Sequence, residues 1–279
     1  MKLRIYSDIH LDHYAHGASS KGDKAFWYPP ELPDDLDTTL ILAGDLWIGT
    51  RFIEWAGFSW IGTVANRFKQ VIVVLGNHDY WPMGDLTVTK GGDKCNALLA
   101  DMHIDNVIVL DCDTFMIEDV MFVGATLWTD MNNGDPLAMY NMTQFMTYDG
   151  KCKYITGANG EYEKFSSFKW VQTHTKHRDY IKYVVEQNRD KKIIVITHHL
   201  PLASLGDPRY IGDNSNCYYS SDLSNLILDN PHIVLWCYGH THHQKDTMMV
   251  STRLINNCVG YAGEQYERQG LVKHKVIEI

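Results

Sequence analysis

The chain has 279 residues, of which 45% are hydrophobic, and its formal net charge is −9. This size fits one large domain, and the composition allows a well-filled core. No stretch approaches ~20 consecutive apolar residues, so we expect no membrane span, and the first residues become polar too early for a signal peptide. An acidic chain also has little general attraction for nucleic acid, although bound cations would change this locally.

Six cysteines are spread along the chain, and none belongs to a Cys-x-x-Cys pair. A zinc knuckle is therefore not expected. We expect free thiols and a cytoplasmic protein, because thiols stay reduced in that compartment.

Near-continuous apolar runs in the first half of the chain predict strands that are buried on both faces. The runs 115–117 and 120–123 predict a hairpin around Glu118-Asp119. The remaining predicted elements are strands at 3–6, 38–43, 71–75 and 107–110 and helices at 51–68 and 95–102.

The second half combines an irregular segment with further strands. Residues 129–160 are rich in Asn, Gly, Asp, Met and Tyr and have weak periodicity, so we interpret them as an insertion or lid. Apolar residues at helical spacing predict an amphipathic helix over 161–188. The last predicted elements are strands at 192–196, 233–237, 247–250, 253–255 and 271–277 and a short helix at 222–228. Since no repeat or linker divides the chain, we expect a single domain over 1–279.

Five short motifs each follow an apolar run and contain side chains of the types that bind metal ions. Catalytic groups of α/β sheets gather at strand ends, where loops carry them into a cleft. Carboxylate, amide and imidazole ligands suit Mn, Fe, Zn, Ni or Co rather than Cu(I). The motifs are Asp8-Ile9-His10, Gly44-Asp45, Gly76-Asn77-His78-Asp79, Thr197-His198-His199 and Gly239-His240-Thr241-His242.

The spacing within the motifs suggests how ions would be held. Asp8 and His10 are two residues apart, so on an extended strand both side chains would point the same way and chelate one ion. Asp45 has two oxygens with which to bridge two ions. Two ions ~3.5–4 Å apart polarise a phosphoryl group and generate hydroxide near neutral pH.

Each motif alone has an ordinary alternative interpretation. Gly44-Asp45 fits a turn, Asn77 fits the start of a capped helix, and His198 with His199 fits a satisfied core pair. All five motifs in this order, each at the end of a strand-like run, favour a binuclear metal centre.

In their order and composition the motifs resemble those of the calcineurin-like metallophosphoesterase superfamily, over residues 8–242. The resemblance implies an α/β, four-layer fold in which two packed mixed β-sheets are flanked by helices, with the metals at one edge. It also implies that Asp45 bridges the two ions. The other implied ligands are Asp8, His10 and His242 for the first ion and Asn77, His198 and His240 for the second.

The same resemblance implies the catalytic groups. His78 matches the histidine that contacts the phosphate and protonates the leaving oxygen. Asp79 would orient His78 and raise its pKa, since a nearby carboxylate favours imidazolium. His198 is preferred over His199 as the ligand because it comes first after the strand.

The residues after Asp45 differ from those of two branches of the superfamily, and this narrows the class of substrate. Ser/Thr protein phosphatases carry an Asp-Arg-Gly triplet after Gly-Asp, and its arginine grips the phosphate, whereas Leu46-Trp47-Ile48 follows here. Purple acid phosphatases place a tyrosine where this chain has Ile48. The missing arginine favours a diester over a monoester dianion, and Arg51 and Arg209 are the best candidates for a cation that contacts phosphate.

We therefore expect a binuclear phosphodiesterase, with Mn as the first choice of metal, that acts on a nucleotide-type diester, cyclic nucleotides included. The alternatives are a nuclease acting on DNA or RNA and a phosphomonoesterase, with a non-catalytic interaction module as a remote one. Repair nucleases of the superfamily carry an additional DNA-binding domain, and we expect no such extension after His242.

Overall fold

Two mixed β-sheets pack face to face and are flanked by helices, so the predicted fold class is confirmed. The structure is a computed structural model that describes residues 1–15, 26–156, 161–261 and 273–279. The strands are β1 (Lys2–Tyr6), β2 (Thr38–Ala43), β3 (Gln70–Val74), β4 (Val107–Leu110), β5 (Asp113–Ile117), β6 (Val120–Ala125), β7 (Lys153–Thr156), β8 (Glu161–Lys164), β9 (Lys192–Thr197), β10 (Ile233–Cys237), β11 (Lys245–Met249), β12 (Thr252–Asn256) and β13 (Ile277–Glu278).

Helices cover the outer faces of the sheets. Among the described residues, none of these helices has the length and apolar character that a membrane crossing requires. The helices are α1 (Leu11–Ala15), α2 (Trp60–Ala65), α3 (Gly91–Asp101), α4 (Met131–Gly134), α5 (Pro136–Phe145), α6 (Ser167–Gln187) and α7 (Ser224–Leu228).

Most strands run parallel, and this brings their carboxyl ends to a common edge. The five-stranded sheet has the order β13-β1-β2-β3-β4, in which β13 pairs antiparallel and the other neighbours pair parallel. The six-stranded sheet has the order β11-β12-β10-β9-β6-β5, in which the edge strands β11 and β5 pair antiparallel. The loops after β1, β2, β3, β9 and β10, which carry the five motifs, therefore lie at strand ends that face one another.

Strand β2 illustrates why near-continuous apolar runs form these sheets. Ile41 and Ala43 pack between the two sheets, whereas Leu40 and Leu42 belong to the cluster on the outer face, beneath helices. Successive side chains of a strand point to opposite faces, so a strand covered on both sides must be apolar throughout. Burial of each leucine or isoleucine side chain contributes about 1.5–3 kcal/mol.

The helix predicted over 51–68 is interrupted. Only a short 3-10 helix (Gly49–Phe52) and α2 form there. The break has a backbone cause, because Ala56 and Gly57 have φ angles of 51° and 81° and cannot continue a right-handed helix.

The insertion and the segment after it also differ from expectation. Residues 129–160 form α4, α5, a 3-10 turn and β7, while 157–160 lie outside the described residues. The predicted helix over 161–188 is shorter, because 161–164 is strand β8. The Ser166 hydroxyl accepts the Lys169 N–H at 3.4 Å and caps α6. The predicted strand 271–277 is reduced to β13, and its residues 271 and 272 lie outside the described residues.

Candidate metal centre

The seven predicted ligands lie together on five loops at the facing strand ends. Backbone hydrogen bonds tie these loops to one another. Asp8 N–H donates to Gly44 O at 2.9 Å, and Gly239 N–H donates to His198 O at 3.0 Å. The loops of the two sheets therefore form one framework.

Five of the seven predicted ligands have left-handed backbone conformations. Their φ angles are 53° at Asp8, 50° at His10, 55° at Asp45, 75° at His240 and 46° at His242. Residues other than glycine rarely adopt this backbone conformation, and such strain concentrates at functional sites.

This backbone corrects one step of the sequence argument. Asp8 and His10 were expected to point the same way because they lie on an extended strand. Strand β1 ends at Tyr6, and both residues have positive φ. The tight loop after the strand brings them together, not the strand.

Two glycines allow the loops to approach this closely. A Cβ at Gly44 would lie 2.3 Å from His198 Nδ1, and Gly44 has a φ of +90°. A Cβ at Gly76 would lie 2.1 Å from Asp45 Oδ1. Both contacts are far inside van der Waals range, so the motif glycines are required by packing beside the ligands.

The first ligand group consists of Asp8, His10 and His242. His10 Nε2 lies 2.9 Å from His242 Nε2, and His242 Nε2 lies 3.6 Å from Asp8 Oδ1. The candidate ligand atoms of the three residues all lie within 4.8 Å of one another. They converge on one small volume, as the prediction for the first ion requires.

The second group consists of Asn77, His198 and His240, with Asp45 beside it. His198 Nε2 lies 2.9 Å from Asn77 Oδ1 and 3.3 Å from Asp45 Oδ2. Ligand atoms of Asp45, His198 and His240 lie within 4.8 Å of one another. The His198 Nδ1–H donates to Ala43 O at 3.0 Å, which turns Nε2 toward the group.

Asp45 lies between the two groups, and its Oδ2 faces a histidine of each. Oδ1 accepts the His78 backbone N–H at 2.9 Å. Oδ2 lies 3.3 Å from His198 Nε2 and 3.8 Å from His10 Nε2. Oδ2 therefore lies beside one predicted ligand of each ion.

His199 differs from His198 in what its ring contacts. His199 Nδ1 lies 3.2 Å from Thr126 O, and its ring packs at 4.2 Å, centroid to centroid, from that of His240. It is His198 whose Nε2 lies beside Asn77 and Asp45. This geometry agrees with the choice of His198 as the ligand.

The electrostatics of Asp45 and of the second group suit bound cations. Burial opposes ionisation of Asp45, but His198 and His78 outweigh it and hold the pKa of Asp45 well below its usual range. Burial likewise opposes charge on His198, yet Asp45 raises the pKa of His198 to about 9. His240 Nε2 is buried and has no hydrogen-bond partner among the described residues. A buried ring nitrogen without a partner is costly, and a metal ion would supply that partner, so the residues fit the implied ions.

His78, the predicted proton donor, borders the same centre. Its ring stacks on Trp81 with centroids 3.5 Å apart, and its Nε2 lies 3.2 Å from the Tyr261 hydroxyl oxygen. Burial lowers the pKa of His78 to about 4, although Asp45 acts in the opposite direction.

Asp79 was expected to orient His78 and raise its pKa, and the structure does not bear this out. Its carboxylate accepts four backbone N–H groups rather than a ring N–H of His78, and the pKa of His78 is lowered rather than raised. Burial and the neighbouring Asp45 raise the pKa of Asp79 to about 7. Asp79 thus holds the loops in place. Its donors are Gly76 N at 2.7 Å, Leu46 N at 3.0 Å, Trp47 N at 3.0 Å and Asp45 N at 3.1 Å.

A cleft of about 930 Å³ opens beside the centre. Its walls include Tyr148, Tyr210 and Tyr219, and Arg209 lies at its side. Arg209 also pairs with Asp207. Arg51, the other candidate for a phosphate contact, is not among the described residues that line the cleft, and its guanidinium donates to Met83 O at 3.3 Å.

Three residues at the site were missed by the sequence argument. Trp81 packs on His78, Tyr261 contacts it, and Asp149 accepts a hydrogen bond from Asn77. Trp81 lies only three residues after His78, but nothing in its spacing indicates a stacking role. Asp149 and Tyr261 lie far from the motifs in the chain.

The sequence and the fold of this chain are both similar to those of known proteins. A sequence model described as calcineurin-like phosphoesterase matches residues 1–244. The chain is similar to uncharacterized protein L509 of Acanthamoeba polyphaga mimivirus, with 26% identity over 282 residues that cover 94% of this chain and 92% of the relative. Its fold is similar to that of phosphopantetheinyl hydrolase (PptH) from Mycobacterium tuberculosis, with a TM-score of 0.66, 18% identity, and coverage of 96% of this chain and 92% of that chain.

Proposed function

The chain belongs to the calcineurin-like phosphoesterase family and is by that membership a metal-dependent phosphoester hydrolase, and on this premise we propose that it is a binuclear phosphodiesterase acting on nucleotide-type diesters. The observation that carries the proposal is the position of Asp45 Oδ2 between the two ligand groups. We propose Mn²⁺ as the first choice of metal because carboxylate and amide oxygens suit it, whereas the imidazoles also suit Fe, Zn and Ni.

The residues that would hold the ions follow from the two groups. Asp45, whose Oδ2 faces a histidine of each group, would help to hold both ions. When bound, a pair of such ions polarises phosphoryl oxygens and lowers the pKa of the attacking water. The remaining ligands would be Asp8, His10 and His242 on one side and Asn77, His198 and His240 on the other.

His78 is the proposed proton donor to the leaving oxygen. Its Nε2 points to the Tyr261 hydroxyl rather than into the protein core, so a substrate atom can take the place of that hydroxyl. Trp81 packs on one face of the ring and limits its rotation. A phosphate anion beside the ring favours imidazolium, which opposes the effect of burial on the pKa of His78.

The charges around the cleft favour a diester. Of the lysines and arginines in the described ranges, Arg209 is the one that lines the cleft, and its charge is offset by Asp207. A monoester dianion would need more compensation than a diester monoanion. The tyrosines of the wall offer faces on which a base can stack.

The cleft also suits a small substrate. Its volume of about 930 Å³ matches the usual range for small-molecule sites. Phe145 and Tyr148 reach it from the insertion, and we propose that residues 129–160 act as a lid within a single domain. The thiols of Cys95, Cys112, Cys152, Cys217 and Cys237 form no disulfide, which supports a cytoplasmic location.

A substrate panel with added Mn²⁺ tests the proposal. The panel compares cyclic nucleotides, a bis-aryl phosphodiester, an aryl phosphomonoester and single-stranded DNA, with kcat/KM for each. We expect diesters of small size to be hydrolysed fastest. Faster cleavage of DNA would favour a nuclease, and faster cleavage of the monoester would favour a phosphomonoesterase.

Metal analysis separates an enzyme from a non-catalytic module. We expect two tightly bound transition-metal ions per chain. Less than one ion per chain, together with no hydrolysis of any member of the panel, would overturn the proposal.

A further inference from the structure

The amide of Asn77 has two chemically different ends, and only one of them can bind a metal ion. Its Oδ1 lies 2.9 Å from His198 Nε2, on the side of the second ligand group. Its Nδ2 donates to Asp149 Oδ1 at 2.8 Å. The oxygen is an acceptor, whereas the NH₂ group has no lone pair to offer an ion, so a half-turn of the amide would abolish the ligand.

Asp149 is placed to prevent that half-turn. Its side chain is buried, with 3% of the residue exposed, and it lies in the insertion. An ionised carboxylate accepts hydrogen bonds and donates none, so it can face the NH₂ end of Asn77 but not the oxygen. The two residues are 72 positions apart in the chain, so the contact exists only because the insertion folds onto the loop after β3.

The same carboxylate oxygen holds a second group at the site. Trp81 Nε1–H donates to Asp149 Oδ1 at 3.3 Å. The Trp81 ring packs between His78, at 3.5 Å, and Tyr148, at 4.6 Å, measured between ring centroids. Asp149 therefore contacts both the proposed ligand Asn77 and the ring that supports His78.

We propose that Asp149 is a positioning residue that keeps Asn77 Oδ1 turned toward the second metal position. The proposal rests on the assignment of Asn77 as a ligand in the proposed function. It makes the insertion part of the metal centre, because one residue of the insertion determines which atom of Asn77 faces the ion. Partners that orient metal ligands typically contribute about 10–100-fold to metal affinity.

The test is a titration of the full chain with Mn²⁺ alone, with free Mn²⁺ measured by electron paramagnetic resonance. Asp149→Ala removes the acceptor, and Asp149→Leu removes it while keeping the number and branching of the side-chain heavy atoms. We expect both variants to bind the first equivalent as the wild type does and the second about 10–100-fold more weakly. Asp149→Asn retains one carbonyl oxygen and should restore most of the affinity.

Asp135 provides a matched control within the same insertion. Its carboxylate caps α5 by accepting the Leu137 and Ala138 N–H groups at 2.9 and 2.8 Å. Asp135→Ala should loosen the insertion without changing either Mn²⁺ equivalent. If Asp135→Ala weakens the second equivalent as much as Asp149→Ala does, the effect is general loosening and the proposal is overturned.

A double-mutant cycle tests whether Asp149 acts through Asn77. Asn77→Ala should weaken the second equivalent by itself. Adding Asp149→Ala should then weaken it no further, because the amide to be oriented is absent. Additive losses would overturn the proposal.

The outcomes separate this proposal from the proposed function. A wild-type chain that binds fewer than two Mn²⁺ ions contradicts the binuclear centre itself. A wild-type chain that binds two ions, with Asp149→Ala and Asp149→Leu equal to it, contradicts only the role of Asp149.

Discussion

Among the residues that the structure describes, two clusters of potential metal ligands occur, and they differ in the state of their donor atoms. One is the centre at the strand ends. The other consists of Asp111, Cys112 and His177, whose candidate ligand atoms also lie within 4.8 Å of one another. Proximity alone therefore does not distinguish them.

The positions of the ring protons on His198 and His177 distinguish the two clusters. At the strand ends, the Nδ1–H of His198 donates to Ala43 O, so the neutral ring has its lone pair on Nε2, which faces the carboxylate of Asp45. In the second cluster, His177 Nδ1 accepts the Leu127 N–H at 3.2 Å, so the proton of the neutral ring must be on Nε2. That nitrogen lies 4.0 Å from Asp111 Oδ1 and has no lone pair for an ion.

The pKa values of the two aspartates, Asp45 and Asp111, also distinguish the clusters. Burial raises the pKa of Asp111 to about 6 and that of the Cys112 thiol to about 12. Burial also lowers the pKa of His177 to about 3. The second cluster thus favours neutral groups, whereas histidines hold the pKa of Asp45 well below its usual range. Donor atoms that are close together are not enough for a metal site; their lone pairs and negative charge must also face the position of the ion.

The comparison is tested most strongly by the same substitution in each cluster. Asp45→Asn removes the charge between the two ligand groups, and we expect loss of bound Mn²⁺ and a fall in kcat/KM of about 10³-fold or more. Asp111→Asn should leave both unchanged. Metal content after desalting and hydrolysis of a bis-aryl phosphodiester measure the two effects. Two ions per chain in Asp45→Asn, or a lost ion in Asp111→Asn, would contradict the comparison.

His78→Ala separates proton donation from metal binding. We expect metal content to remain at the wild-type level while kcat falls by about 10²-fold or more for a substrate with a poor leaving group. The fall should be smaller for a nitrophenyl ester, whose leaving oxygen needs no proton. Full activity toward the poor leaving group would rule out His78 as the acid.

The sequence predicted the strand-end cluster well because its signal is local. Asp45 and Asn77 each follow a glycine within two residues of the end of a strand, and parallel strands bring such positions to one edge. The contact of Asp149 with Asn77 spans 72 residues through an irregular insertion, so no spacing could reveal it. The role of Asp79 was mistaken because adjacency to His78 does not tell which way a carboxylate points.

The predicted elements follow the same division. Strands β2, β4 and β10 begin and end where the apolar runs do, since burial on both faces determines them. The helix predicted over 51–68 failed at Ala56 and Gly57, whose left-handed backbone no periodicity of apolar residues reports. Contacts between distant parts of the chain, such as that of Asp149 with Asn77, could not be predicted from the sequence.

Two glycine substitutions compare the packing beside the clusters. A Cβ at Gly76 would lie 2.1 Å from Asp45 Oδ1, and a Cβ at Gly92 would lie 2.5 Å from Asp111 Cβ. We expect each alanine variant to lose about 1–3 kcal/mol of unfolding free energy, measured in urea. Only Gly76→Ala should also lose bound Mn²⁺. Equal metal content in the two variants would show that the strand-end framework tolerates displacement of Asp45.

The smallest expected effect is the pH dependence of stability caused by Asp111. Its pKa is about 6 in the folded chain, against about 3.9 when unfolded. Between these values the folded chain keeps a proton that the unfolded chain has lost, so raising the pH removes stability. Asp111→Asn cannot ionise and escapes this loss. Its unfolding free energy should therefore match that of the wild type most closely near pH 4 and exceed it by on the order of 1–2 kcal/mol above pH 6. Urea unfolding at pH 4, 5, 6 and 7, with a chelator present so that metal binding does not contribute, measures the difference. A difference that does not change with pH would mean that Asp111 is ionised in the fold, and that the second cluster resembles the first more closely than its proton positions indicate.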